Sequence, residues 1–135
     1  MSVKELDRMF KEAFNYIDKG DAIQASEKLY KVAEESVKML AKLHNLAEYR
    51  EAEERGRWVT RLLFRAVDRL SEIYGLDFSK AWSSAWTLHV EGFHEGRLPA
   101  EVVRSYASVI EDILNILKRE TAHSSMFKKY GYYKP

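Results

Sequence analysis

Residues 21–47 read DAIQASEKLYKVAEESVKMLAKLHNLA, and this stretch decides the fold. Ala22, Ala25, Leu29, Val32, Ala33, Ser36, Val37, Leu40, Leu43 and Ala47 recur at steps of three and four, which draws one apolar stripe along a helix of 3.6-residue period. Lys28, Lys31, Glu34, Glu35, Lys38 and Lys42 fall mostly off that stripe. Asp21 is placed as the N-cap, where its carboxylate accepts from free N–H groups of the first turn and complements the helix dipole. Glu34 and Lys38 stand one turn apart in the favourable Glu-first order, a local contribution of about 0.3 kcal/mol. Burial of the stripe is the larger effect.

Working outward, Ser2 to Asp18 carries Leu6, Met9, Phe10, Ala13, Phe14 and Ile17 on one face, so it too is a helix in need of a partner. Lys19-Gly20 ends it, and so short a connection makes the two helices antiparallel neighbours. Beyond Asn45 the sequence AEYREAEERG keeps its helical propensity while the apolar stripe fades. A helix unbroken to Arg55 would be about 50 Å long, so it either projects or breaks near His44-Asn45; the charge run reads as a solvated helix end.

A further helix is expected over Arg57–Tyr74, with Val59, Leu62, Leu63, Ala66, Val67, Leu70 and Ile73 inward and Gly75 as its stop. Another is expected over Phe78–Glu95, capped by Asp77 or Ser79, with Phe78, Trp82, Ala85, Trp86, His89 and Phe93 along its stripe. Gly96 and Pro99 open the last one, which runs to Arg119 or beyond. The expectation is an all-α, antiparallel up-and-down bundle of four to five helices, forming one domain over residues 1–123, followed by an aromatic and basic tail over 124–135. Counted this way, the helix ends at Asp18, Asp21, Tyr74, Asp77 and His123 share one pole. Arg55, Arg57, His94, Glu95 and Arg97 share the other.

The composition agrees with one ordinary helical domain: 135 residues, 46% hydrophobic and 32% charged, with two prolines. A net charge of +1 gives no global attraction to nucleic acid or membrane, so any such binding is local. Zero cysteines exclude disulfides, cysteine nucleophiles and thiolate zinc sites. No stretch reaches the length of a membrane span and the N-terminus lacks a signal-peptide core, which reads as a cytoplasmic protein that does not enter membranes. Many charged residues and few amides lean toward a thermophile composition.

Several residue patterns carry possible chemistry. Glu91-x-x-His94 and Glu120-x-x-His123 have the spacing of bundle di-metal sites, but one helix of about 35 Å separates them, so no metal is assigned. His89, on a stripe with Trp82, Trp86 and Phe93, reads as a hydrogen-bonded core or boundary histidine. Arg119 and His123, one turn apart, form a candidate pair in which arginine grips a phosphate and histidine works as acid or base in RNA cleavage. In the tail, Lys128, Lys129, Tyr130 and Lys134 belong to a mixture of lysines and rings suited to single-stranded nucleic acid. No Gly-rich phosphate loop or nucleophile elbow is present, and no cofactor is expected.

The hairpin FNYIDKGDAIQASEKLYKVAEESVKMLA, followed by AWSSAWTLHVEGFHEGRLPAEVV, resembles the archaeal PaREP family of the broad HEPN class (higher eukaryotes and prokaryotes nucleotide-binding). The resemblance implies a helical bundle, homodimerisation, and association with nucleotide, RNA or a nucleotidyltransferase-type protein partner. Catalytic members of the class place a histidine after an arginine and a polar residue with a longer spacer than Arg119-Glu120-Thr121-Ala122-His123 provides. That departure favours a binding or assembly role over ribonuclease activity.

Overall fold

The computed structural model describes the backbone of residues 1–130 and side chains through His123. Its first helix, α1 (Val3–Asp18), begins in a capping box: the Ser2 hydroxyl accepts from the Glu5 N–H while the Glu5 carboxylate accepts from the Ser2 N–H. Gly20, at φ 78°, turns the chain back, and the N–H of Asp21 donates to Tyr16 O at 2.8 Å. As expected, Asp21 caps α2 (Ala22–Leu43), accepting from the Gln24 N–H at 3.1 Å.

Helix α2 is buried over far more than a single stripe. Ala25, Ser26, Leu29, Tyr30, Val32, Ala33, Ser36, Val37, Leu40 and Ala41 are all buried, because α1 covers one side of the helix and later helices cover the others. Such a helix is the axis of the bundle rather than one of its walls. Truncating a fully buried leucine here, Leu29 or Leu40, to alanine costs about 2–5 kcal/mol. On the remaining face Lys38 bridges Glu34 at 2.9 Å and Glu35 at 3.0 Å. Burial pushes the Glu34 carboxyl up, but the hydrogen bonds from Lys38 and Tyr30 outweigh it and hold the group below its ordinary value.

The helix breaks at His44-Asn45. Asn45 adopts φ 50°, the left-handed region its short polar side chain tolerates, and Leu46 N–H donates to Ala41 O at 3.0 Å. A separate helix, α3 (Ala47–Arg55), follows, and Gly56 at φ 77° closes it. The charge run is therefore a separate helix with one packed face rather than an extension of α2: Glu48 and Ala52 are buried against α4 (Thr60–Tyr74), with Glu48 3.9 Å from Arg69 and Glu51 2.8 Å from Arg61, while Arg50, Glu53, Glu54 and Arg55 are solvated as expected. Next comes α5 (Leu76–Thr87), which starts directly after Gly75 without a side-chain cap, so neither Asp77 nor Ser79 serves as expected. It passes without interruption into a π-helix over Leu88–His94, and α6 (Ala100–Tyr130) completes the described chain.

The molecule is thus all-helical, with six α-helices and one π-helical segment among the described residues instead of four or five helices. The extra reversal at Asn45 inverts the direction of every later helix. Arg104 of α6 pairs with Asp18, and the space at Gly96 opens on Ile23, so the start of α6 lies at the Lys19-Gly20 end, here called upper. Tyr74 instead bonds His44, at the lower end. The grouping expected from four antiparallel spans fails for this reason: Asp18 and Asp21 share their pole with Gly96 and Arg97, while Tyr74 lies opposite. Asp7–Lys118 ties α1 to α6 near the lower end. No helix among the described residues is long and apolar enough to cross a membrane.

Candidate functional site

Polar groups collect at both ends of α2. At the lower end, its C-cap residue His44 brings Nε2 to 2.7 Å from the Tyr74 hydroxyl. The Tyr74 O–H is pushed up to about 12, by burial first and by the nearby Glu120 charge second. Arg119 lies close enough to act on Tyr74 in the opposite sense. Arg119 and Glu120 therefore lie near the His44–Tyr74 pair, and His123 is exposed one turn further along α6. The sequence singled out Arg119, Glu120 and His123 and set Tyr74 at the same pole, but missed His44, whose meeting with Tyr74 depends on the chain break at Asn45.

Around this cluster three apolar side chains are exposed among polar and charged ones. Leu43, Ile73 and Leu76, all within two residues of the His44–Tyr74 pair, are 44%, 49% and 74% exposed. Helix α6 passes them and continues: Glu120 to Tyr130 adds about 15 Å of helix. Since Asp7 meets Lys118 and α1 begins at Val3, the last turns of α6 outrun α1. Lys128, Lys129 and Tyr130 lie on these turns, so the first part of the expected tail is helical backbone; their side chains, and Lys134, lie outside what is described.

At the upper end the π-helix rearranges the expected aromatic stripe. Its wider turn, with Glu95 N–H donating to Val90 O at 2.9 Å, stacks residue i+5 above residue i and so brings His94 beside His89. Their Nε2 atoms stand 3.2 Å apart, and His89 Nδ1 lies 3.4 Å from Glu27 Oε2. The His89 ring stacks on Tyr30 at 4.0 Å between centroids and also meets Trp86 and Phe93. His89 is thus the hydrogen-bonded boundary histidine the sequence suggested. Trp82 packs in the core against Tyr30 and Phe64.

Gly92 explains how the π-helix reaches α2. A Cβ built on it would stand 2.6 Å from Ser26 Cβ and closer still to the Ser26 hydroxyl, so only glycine permits this approach. Glu91 is not available to the histidines, because Arg97 holds it with two hydrogen bonds of 2.8 and 3.0 Å and keeps its carboxyl below the ordinary value. The two Glu-x-x-His pairs lie at opposite ends of the bundle. Among the described residues no three His, Asp or Glu side chains converge as a metal-binding group.

Grooves on the described surface include two that involve α1. One of about 530 Å³ is lined by Ser2, Lys4, Glu5, Asp7, Arg8 and Lys11, which come from the start of α1 alone, so it has no opposing wall. The other, about 250 Å³, runs between α1 and α2 beside Tyr16, Glu27 and Lys28.

An all-helical bundle threaded on a central helix and closed by a π-helical segment is the class that fold and site define. The chain belongs to the archaeal PaREP1/PaREP8 family, whose profile matches residues 1–114. That match spans the bundle and stops short of the last turns of α6. A crystal structure of a Sulfolobus solfataricus protein is similar to it at 33% identity and a TM-score of 0.75, covering 90% of this chain and 98% of that one. A solution structure of the same structural-genomics target agrees at 34% identity and a TM-score of 0.75, covering 87% and 92%. No curated protein matches the chain.

Proposed function

We propose that this chain is a HEPN-like, non-enzymatic interaction module that works as a homodimer and holds a nucleotide, RNA or nucleotidyltransferase-type protein partner. The observation that carries the reading is the lower end, where Leu43, Ile73 and Leu76 are exposed around His44 and Tyr74 while α6 overruns the bundle. Apolar side chains gathered at one end and rimmed by polar groups have the anatomy of an interface. A second copy fits it because the overrunning helix of one chain can cover the apolar end of the other. Sedimentation of Leu76→Asp tests this: wild type is dimeric and the variant is a folded monomer. A monomeric wild type would defeat the reading.

A second reading is favoured by the nearness of Arg119 and Glu120 to Tyr74, with the exposed His123 one turn further along α6. In it the chain is a metal-independent ribonuclease, with Arg119 binding phosphate and His123 moving the proton across a dimer cleft. Incubation with structured RNA separates the two. The interaction module leaves the RNA intact, whereas cleavage that disappears in His123→Ala establishes the nuclease.

A further inference from the structure

We infer that the π-helix carries a binding site for a divalent transition metal ion of the zinc or nickel type, chelated by Nε2 of His89 and Nε2 of His94. Three features of the upper end carry this assignment. First, the spacing fits. An ion with nitrogen ligands at about 2.0–2.1 Å in tetrahedral geometry holds two of them about 3.3 Å apart, and the two Nε2 atoms stand at 3.2 Å. The ring centroids are farther apart, 4.5 Å, at an interplanar angle of 77°. The nitrogens rather than the ring faces therefore meet across the gap.

Second, the tautomer is set for coordination. The carboxylate of Glu27 lies at His89 Nδ1, so the proton on that nitrogen donates to it and the Nε2 lone pair faces His94 Nε2, whose proton it accepts in the ion-free chain; an ion displaces that proton on binding. A carboxylate behind a ligating imidazole is the usual way a metal-binding histidine is oriented and made more basic. Third, the site is both rigid and reachable. Stacking on Tyr30 and the Gly92–Ser26 approach hold His89 and the π-helix in place, while the His89 side chain keeps 21% of its surface accessible and His94 is exposed. Glu91 is committed to Arg97, so two protein nitrogens and water complete the coordination, leaving open positions at the surface.

Two imidazoles suit borderline ions such as zinc and nickel over magnesium or calcium, which take oxygen ligands. The i, i+5 spacing works only because this segment is a π-helix. In an α-helix, where neighbours on one face are three or four apart, positions 89 and 94 diverge.

Isothermal titration of the untagged full chain with Zn²⁺ or Ni²⁺ tests the site, with Co²⁺ absorption in the visible as a second readout of nitrogen coordination. Wild type is expected to bind one ion per chain. His94→Ala, an exposed change whose fold is checked by circular dichroism, binds at least about tenfold more weakly, whereas Asp68→Ala, an exposed carboxylate on α4, binds as wild type does. Glu27→Gln, which removes only the positioning carboxylate, weakens binding by about 10–100-fold. A wild type that binds neither ion, or a folded His94→Ala variant that binds as tightly as wild type, overturns the assignment.

Discussion

Helix α2 holds a histidine near each of its ends, in opposite settings. At the upper end His89 is pinned from several directions: Tyr30 lies against its face, Glu27 and His94 meet its two nitrogens, and the backbone below it approaches α2 through Gly92. At the lower end His44 sits on a helix terminus, bonded to one tyrosine and flanked by exposed Leu43, Ile73 and Leu76. The first arrangement fixes its histidine by packing, although Ile23 and Phe64 nearby stay partly exposed; the second leaves Leu43, Ile73 and Leu76 exposed around its histidine. A closely packed histidine presents a fixed set of donor atoms, whereas uncovered leucines and isoleucine offer the surface on which the proposed second copy would sit.

The largest expected effect that sharpens this contrast is at Gly92. Gly92→Ala drives a methyl group into Ser26 and costs about 1–3 kcal/mol, read as a lower midpoint in thermal denaturation. Pairing it with Ser26→Gly makes the two costs non-additive, since the second change removes the Cβ and hydroxyl that the first one strikes. An unchanged midpoint in Gly92→Ala would show that the upper end is not held by this approach.

Tyr74→Phe is milder. It takes away the hydroxyl bonded to His44 and costs about 0.5–1.5 kcal/mol, because the pair is only partly buried. A loss as large as that of Gly92→Ala would break the comparison by making the lower end as tightly built as the upper one.

The smallest effect is electrostatic. Lys118, and then Lys11, hold the Asp7 carboxyl below its ordinary value. A folded-state value below the unfolded one means that the stabilisation is fully present above the ordinary carboxylate range near 3.8 and is lost as pH falls through the folded value. The pair is partly exposed, so on the order of 0.2–1 kcal/mol is at stake. Denaturant titrations in the acid range should therefore show a shallower loss of stability in Asp7→Asn than in wild type. Raising the salt concentration should narrow the difference.

Legibility in the sequence followed how local each cause is. The α1–α2 hairpin was readable because its determinants are neighbours: Gly20 supplies positive φ, Asp21 caps, and the apolar periods on both sides demand a partner. The Glu34–Lys38 bridge was readable for the same reason. The break at Asn45 was only one of two alternatives, since helical propensity continues through Ala47–Arg55 and the deciding contact, Glu48 and Ala52 buried on α4, is made by a distant segment. That one ambiguity misplaced Tyr74, His94 and Arg97 relative to Asp18. It also hid His44 as the partner of Tyr74.

The sequence by itself determined the all-helical class, the PaREP likeness, the central helix and the separation of the two Glu-x-x-His pairs, because period, caps and helix rise are properties of the chain taken a few residues at a time. The tertiary structure decided the number and direction of the helices after Asn45, the meeting of His44 with Tyr74, and the π-helical turn that sets His94 against His89. These depend on which surfaces pack. A π-turn gives up the regular α hydrogen-bond pattern, and here it is accompanied by a close seat of Gly92 on Ser26, a neighbour 66 residues away in the chain.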